Sequence, residues 1–505
     1  MQPHTDRVIR SSIVQLMKET LTVDVDENRK IFNKLPGFCF IGDSISARQN
    51  KQINLESVTA NGKIITAVFS GNHGLNLNNH VFINSTVDAA YHGWYRVQSI
   101  PTTSTFTYHV KKEPSISVDN TSLIRCVIQE QLYDSNWAGV GSSLAKRKGL
   151  YLGNYGWGSS KTSDLDEQLD FALDRVGTLW GDHGADIIFI CSGVNDIAAD
   201  VDIENIKVNL GAAIERISNV GIRPVISTLY PLDNTHPGHA ISSAINHCKL
   251  NRWIREVAPT MGATVIDVSS VVVDPFSEYG NYISGYSADG LHPDKNATFA
   301  VAKLVNKKLW ATISSVDTRI GASVSNNNTL SGTSGSNVGT GTSTGDVADN
   351  MSLGAYIGGS VVGSKGIADD GSGELQRIVA TSSADNDWFA FFGDNLTTAD
   401  FKAGDRIVCR MQVVVHSDIV TENFRNMSLY GAHTVDGVET TRCVSDIGDN
   451  GDHSVTLGEP YSVTLETPPV LIHDLSTLLN FKLLMYFNGA GEITVDVTNY
   501  DIIKY

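Results

Sequence analysis

Cysteine is scarce in this chain of 505 residues, with six at 39, 126, 191, 248, 409 and 443 and no pair in Cys-x-x-Cys spacing. That spacing excludes a dense disulfide framework or a thiolate zinc site, and a thiol inside an apolar run, as at Cys39 and Cys191, acts as a small hydrophobe. Neither a disulfide nor a structural zinc is expected. Positive charge is also in short supply, 38 Lys and Arg against 55 Asp and Glu, for a formal net charge of -17. No basic patch is concentrated anywhere, which argues against a nucleic-acid partner, since phosphate contacts need clustered cations. Nor is there an uninterrupted run of eighteen apolar residues, and the start Met1-Gln2-Pro3-His4-Thr5-Asp6-Arg7 lacks the apolar core of a secretory signal. A soluble protein, not exported by that route and without a membrane partner, is the expectation.

What the chain does have is length and apolar content. At 505 residues it exceeds what one core comfortably holds, and 41% apolar residues let two or three domains each bury a core. Ile9, Ile13, Leu16, Met17 and Leu21 make an amphipathic stripe, so residues 1–35 read as an N-terminal helical segment. From about 150 to 315 strands and helices alternate: strands at 149–155, 185–191, 223–229 and 263–268, helices near 163–178, 202–219, 239–257 and from 295. Such alternation implies a parallel sheet.

Several turns in this region carry chemistry. The run Phe38-Cys39-Phe40-Ile41 stops at Gly42-Asp43-Ser44, and far downstream comes Asp289-Gly290-Leu291-His292-Pro293. A serine hydroxyl attacks only when an imidazole takes its proton and a carboxylate fixes the imidazole's tautomer, so these three groups are a candidate set if they converge. Between them lie two further glycine-bearing turns after apolar runs, Asn154-Tyr155-Gly156-Trp157-Gly158 and Gly193-Val194-Asn195-Asp196. Ser44, Gly158, Asn195 and His292 all fall at carboxyl ends of predicted strands, where open α/β sheets bind ligands. Asp233, Asp274 and the His236/His239 pair are competing groups, but Pro237 and Gly238 between the histidines read as a loop rather than a metal site.

In order and context these four segments resemble the sequence blocks of the SGNH (GDSL) hydrolase family. The resemblance implies an α/β fold, a three-layer α/β/α hydrolase, and a serine esterase that needs no cofactor. It implies Ser44 as nucleophile, His292 as general base and Asp289 as its orienter, with an oxyanion hole from the Ser44 N–H, a glycine of the second block and the Asn195 side chain. The second block departs from the pattern: the family has glycine five residues after the Asn, and here that position is Ser159. Gly158 is the preferred contributor, with Gly156 the alternative.

The remaining segments are read as attached modules. Residues 51–130 are rich in Thr, Val, Ile and Asn and alternate, the mark of an inserted β module within a hydrolase domain spanning 36–320. About forty residues of it, around His73-Gly74-Leu75 and Tyr91-His92-Gly93-Trp94-Tyr95, resemble a small β module of phage tail and virion proteins, with a decorative rim as the bland alternative. Its histidines 73, 80, 92 and 109 have no metal-binding spacing, and Tyr91, Trp94 and Tyr95 read as core before sugar platform. Residues 321–345, nearly all Ser, Gly, Thr and Asn, read as a flexible linker. Residues 346–505 show short β-rich runs and are expected to form a jelly-roll-like β-sandwich that binds carbohydrate or assembles an oligomer. The combined expectation is an esterase that removes acetyl groups from a bacterial surface polysaccharide, carried on a phage tail as a homotrimer beside other virion components. The alternatives are a lipase or lysophospholipase and a non-enzymatic glycan-binding adhesin.

Overall fold

Strands that are apolar at every position must be covered on both faces, which a parallel sheet between helices achieves. Five largely apolar runs form one sheet in the spatial order Leu150–Asn154, Gly37–Gly42, Ile187–Cys191, Arg223–Ser227, Thr264–Ile266, all parallel. Helices Leu165–Ala172, Ile203–Asn219, Ile241–Glu256 and Lys295–Lys308 connect and cover these strands. In Ile203–Asn219 the stripe Ile206, Leu210, Ala213, Ile214 and Ile217 is buried, and Asp202 caps the start by accepting from the Glu204 N–H. The computed structural model describes residues 30–32, 34–47, 52–71, 73–117, 124–128, 141–142, 144–146, 148–176, 180, 183–237, 239–315, 321–368, 373–393, 395–416, 423–447 and 461–505. The amphipathic stripe over 9–21 lies outside them, while Lys30–Phe32, within the expected helical segment, is a strand paired parallel to Ile313–Ser315.

The strand order reverses at one place. From Gly37–Gly42 the chain passes to the edge strand Leu150–Asn154, then crosses back to Ile187–Cys191 on the other side. The carboxyl ends of Gly37–Gly42 and Ile187–Cys191 therefore form a topological switch point, where neighbouring loops diverge and leave a crevice.

The excursion between the first two strands is a seven-stranded sheet running from Gln52–Asn54 to Ile124–Ile128 with its own core. Tyr91, Trp94 and Tyr95 are buried, so they are core. Trp94 also reaches the hydrolase, donating its indole N–H to the Tyr155 carbonyl at 2.8 Å, and Phe82 stacks on Trp157.

The C-terminal unit is two facing antiparallel-rich sheets of eight and seven strands. Strand Arg406–His416 shows why: Ile407, Cys409, Met411, Val413 and Val415 are fully buried and, from Cys409 on, alternate with more exposed residues, Val408 being buried as well. Residues 321–345 depart from the flexible-linker expectation. Ser334–Gly339 pairs parallel with Val347–Tyr356, and Thr342–Gly345 pairs parallel with Ser360–Ile367, one joining each sheet. Edge strands are held by backbone hydrogen bonds, so exposed Ser, Thr and Gly suffice. Glycine is required at two points: a Cβ on Gly339 (φ 102°) or Gly345 (φ 90°) would sit 2.0 Å from the carbonyl oxygen of Ala355 or Gly363. The two units also pack together, since Phe299 and Ala302 of helix Lys295–Lys308 are buried in the sandwich core cluster and Phe299 meets Tyr461 edge-on.

Candidate active site

Strand Gly37–Gly42 ends in a turn that only glycine can make. Gly42 has φ 143°, and a Cβ there would lie 1.8 Å from the Cys191 carbonyl oxygen, which accepts the Asp43 N–H at 3.0 Å. The Asp43 carboxylate turns back to accept the Ile45 N–H at 3.0 Å, and helix Ser44–Ala47 begins with Ser44 at the surface of the switch-point crevice. Gln168, on the buried face of Leu165–Ala172, binds both sides of Gly42: it accepts the Gly42 N–H at 2.5 Å and donates to the Gly42 carbonyl at 2.9 Å.

At the other end of the chain, the turn before helix Lys295–Lys308 presents the remaining pair. His292 Nε2 lies 2.9 Å from Ser44 Oγ, and His292 Nδ1 lies 2.7 Å from Asp289 Oδ2. Asp289 Oδ1 accepts the N–H groups of His292 and Leu291 at 2.7 and 3.0 Å. Burial works to raise the Asp289 carboxyl, but the bonds from the His292 ring and these two N–H groups outweigh it and hold the group well below the usual carboxylate range. Ser287 ties the turn, donating to the His292 carbonyl at 2.7 Å. Asp233 backs it: its N–H donates to the Gly290 carbonyl and its Oδ1 accepts the Tyr282 N–H at 2.7 Å. The triad is open to water, the side chain of Asp289 being 54% exposed and that of His292 25%.

The loop after Leu150–Asn154 supplies the rim. Gly156 uses its N–H on Asn154 Oδ1 at 3.0 Å, and a Cβ there would press on Ser46 Oγ, so its role is close packing. Gly158 stands exposed with open space around it, and Ser159, at the family's glycine position, adopts φ 63°, the left-handed region glycine favours. Asn195 follows Gly193 (φ 124°), and its Nδ2 donates to the Ser160 carbonyl at 3.0 Å, leaving a second amide hydrogen for a ligand. Its neighbour Asp196 is buried and accepts the Thr162 N–H and hydroxyl at 2.9 and 2.8 Å, fixing the loop on the helix that carries Asn195.

The structure thus brings Ser44, Asp289 and His292 into one chain of hydrogen bonds and joins the helix start that bears Asn195 to the loop of the Gly158 turn through the Asn195–Ser160 bond. His236 and His239 sit on the neighbouring loop, and among the described residues no group of three His, Cys, Asp or Glu side chains converges as a metal site requires. Sequence reasoning passed over Gln168 and Asp196. Gln168 left a signal, a polar residue inside the apolar stripe of Leu165, Leu169 and Ala172.

Residues 125–297 match the sequence profile of the GDSL-like lipase/acylhydrolase family. The nucleophile strand lies ahead of that span, separated from it by the insert. Among solved structures the chain is similar to a protein of Desulfitobacterium hafniense assigned to the lipolytic G-D-S-L family, at 16% identity over 35% of this chain and 89% of that one, with a TM-score of 0.29. It is similar to a GDSL-like lipase of Bacteroides thetaiotaomicron at 16% identity over 35% and 83%, TM-score 0.28. An acetylxylan esterase of Geobacillus stearothermophilus matches at 10% identity over 55% and 94%, TM-score 0.29. No curated protein matches the chain. The parallel sheet with its switch-point crevice and the matched profile agree on an α/β hydrolase fold, with residues 125–297 matching the GDSL-like lipase/acylhydrolase family.

Proposed function

We propose that the protein is a serine esterase that removes acetyl groups from a polysaccharide. The observation that carries the reading is the Ser44–His292–Asp289 relay at 2.9 and 2.7 Å, exposed at the mouth of the crevice. In the proposed reaction His292 Nε2 takes the Ser44 proton as Oγ attacks the ester carbonyl. The Asp289 carboxylate holds the other ring N–H and stabilises the imidazolium. The oxyanion is met by the Asn195 amide, the Ser44 N–H and an N–H of the Gly158 turn. His292 then returns its proton to the departing sugar hydroxyl, leaving acetyl-Ser44. Water, deprotonated by the same ring, attacks the acyl group, releases acetate and restores Ser44.

An exposed triad suits an ester on a bulky chain, because a polymer must lie across the site rather than enter it. The large insert and the sandwich beside the hydrolase supply further surface for such a chain. The insert's likeness to a phage tail module directs the reading to a bacterial surface glycan, with a virion location and a homotrimer as the accompanying proposals. The test is an acetate-release screen over acetylated polysaccharides together with soluble acyl esters of increasing chain length. Release from one class of glycan and a preference for acetyl over longer acyl groups are expected. Faster turnover of long acyl esters with no acetate from any glycan would make it a lipase, and no turnover of any ester would leave a binding protein. Light scattering tests the trimer.

A further inference from the structure

The eight-stranded sheet of the sandwich carries a second concavity, lined by none of the residues of the candidate active site. Its strands Glu374–Ser382, Gly491–Lys504, Arg406–His416 and Tyr461–Glu466 lie side by side. Ile378, Val495, Val413 and Val463 point into the sandwich core, so the alternating residues face outward. Register then sets Asp496 between Arg377 and Val414, and Val414 beside Ser462. The resulting crevice measures about 500 Å³, and Lys146 of the hydrolase unit forms part of its wall.

Its electrostatics run against the rest of the molecule. Asp496 is only 4% exposed although it lies on the outward face. Arg377 donates Nε and Nη2 to its two oxygens at 2.7 Å each, and His416 Nε2 lies 2.8 Å from Oδ2. One buried carboxylate therefore positions a guanidinium and an imidazole at the crevice, and Lys146 adds an ammonium with no acidic partner among the described residues. The crevice is cationic in a chain of net charge -17. The side chains of Gln412, Ser364 and Ser462 make no hydrogen bond among the described residues, while Leu375 and Val414 give the crevice apolar surface. A lone inorganic anion has no use for that apolar surface or for three dispersed hydrogen-bonding groups. A neutral sugar has no use for the cations.

We propose that this crevice binds an anionic saccharide unit, a sugar ring bearing a carboxylate, and so holds an acidic polysaccharide on the sandwich while the hydrolase works on it. The carboxylate pairs with Lys146, the ring hydroxyls with Gln412, Ser364 and Ser462, and the C–H face of the ring lies on the aliphatic surface. The saccharide identity rests on the polysaccharide reading above; the charge of the ligand rests on the crevice alone.

The full-length protein is titrated calorimetrically with an oligogalacturonate, with a neutral xylo-oligosaccharide of equal length, and with inorganic phosphate. Oligogalacturonate should bind, more weakly as salt is raised. Lys146→Ala and Gln412→Ala should each weaken it by about tenfold, in line with loss of one ion pair or hydrogen bond to a charged ligand. Both variants should unfold at the parent temperature and turn over a small soluble ester at the parent rate. No binding, equal binding of the xylo-oligosaccharide, displacement of the oligomer by equimolar phosphate, or unchanged affinity in both folded variants would overturn the proposal. Binding retained by a protein that hydrolyses no ester would overturn the esterase reading and leave the crevice standing.

Discussion

Gln168 closes a two-point clasp on Gly42, accepting its N–H at 2.5 Å and donating to its carbonyl at 2.9 Å across 126 residues of sequence. The clasp fixes the strand end from which Ser44 projects. Both backbone groups are buried, and an unsatisfied buried donor costs about 1–3 kcal/mol. The Gly42 carbonyl keeps the Ser160 hydroxyl at 2.7 Å, so Gln168→Leu orphans only the N–H and should lower unfolding free energy by about 1–3 kcal/mol, read from urea titrations. It should also reduce kcat on a small ester while the glutamine-like variant Gln168→Glu retains part of the rate. Unchanged stability would mean that Gly42 is held by its other neighbours alone.

The relay gives the most direct test. Ser44→Ala and His292→Ala should each reduce ester turnover by about 10⁴-fold or more with the fold intact, and Asp289→Asn by about 10³–10⁴-fold, since an amide favours the wrong imidazole tautomer. A stopped assay on a chromogenic acetyl ester, with circular dichroism for folding, reads all three.

Asn195→Ala should lower kcat by about 10²–10³-fold, the usual effect of removing one oxyanion donor. It also removes the bond to the Ser160 carbonyl, so Asn195→Asp, which cannot donate, separates donation from simple occupancy of the site. A change in KM alone, with kcat preserved, would place Asn195 in binding instead.

Asp43 sets a pH dependence of stability. Burial pushes its carboxyl up to about 7, the nearby charge of Asp196 adds to this, and the Ile45 N–H opposes it. The folded state thus holds this proton more tightly than the unfolded state. Its stabilising effect is complete below the unfolded value of about 4 and is lost as pH rises towards the folded value. The slope from this one group is at most about 1.4 kcal/mol per pH unit. Asp43→Asn keeps an acceptor for the Ile45 N–H and should flatten the stability profile across that window, measured by urea unfolding. Parallel profiles for both proteins would show that Asp43 does not titrate there.

Removing residues 321–505 should not leave an untroubled hydrolase. Phe299, Ala302 and the ring of Trp180, which meets Tyr505 edge-on, would lose the surface that covers them. Burying one large apolar side chain contributes about 1.5–3 kcal/mol, so a chain ending near 320 is expected to melt several degrees lower and to self-associate, as read by calorimetry and light scattering. A truncated protein with the parent melting temperature would show that the two units fold independently.

Much of the hydrolase was legible because its signals are local. An apolar run ending in Gly-Asp-Ser, or a stripe such as Ile206, Leu210, Ile214 and Ile217, states its conformation in a few residues. The Ser44–His292 contact was legible only through the family's ordered blocks, since nothing in either turn encodes the other. What escaped was non-local or carried by backbone. Residues 334–345 are strands because their N–H and C=O groups face partners in the sandwich, a fact invisible in a Ser/Gly/Thr composition. That the Gly156 N–H is taken up by Asn154 Oδ1 is a single bond that the spacing of the two glycines does not announce. The join between Phe299 and Tyr461 links residues on separate units, with no periodicity to announce it.

The strand that bears the nucleophile lies between two neighbours, Leu150–Asn154 and Ile187–Cys191, that are both made later. As the chain leaves the ribosome, Gly37–Gly42 emerges fully apolar and must wait for more than a hundred residues before either partner exists. Strand pairings this distant in sequence are slow to form, and an unpaired apolar strand is prone to associate with other chains meanwhile. The insert, with an apolar core of its own, can fold during that interval and bring the strand's end back towards the residues that follow. The module's position in the sequence thus fills the whole interval in which the nucleophile's strand has no partner to pair with.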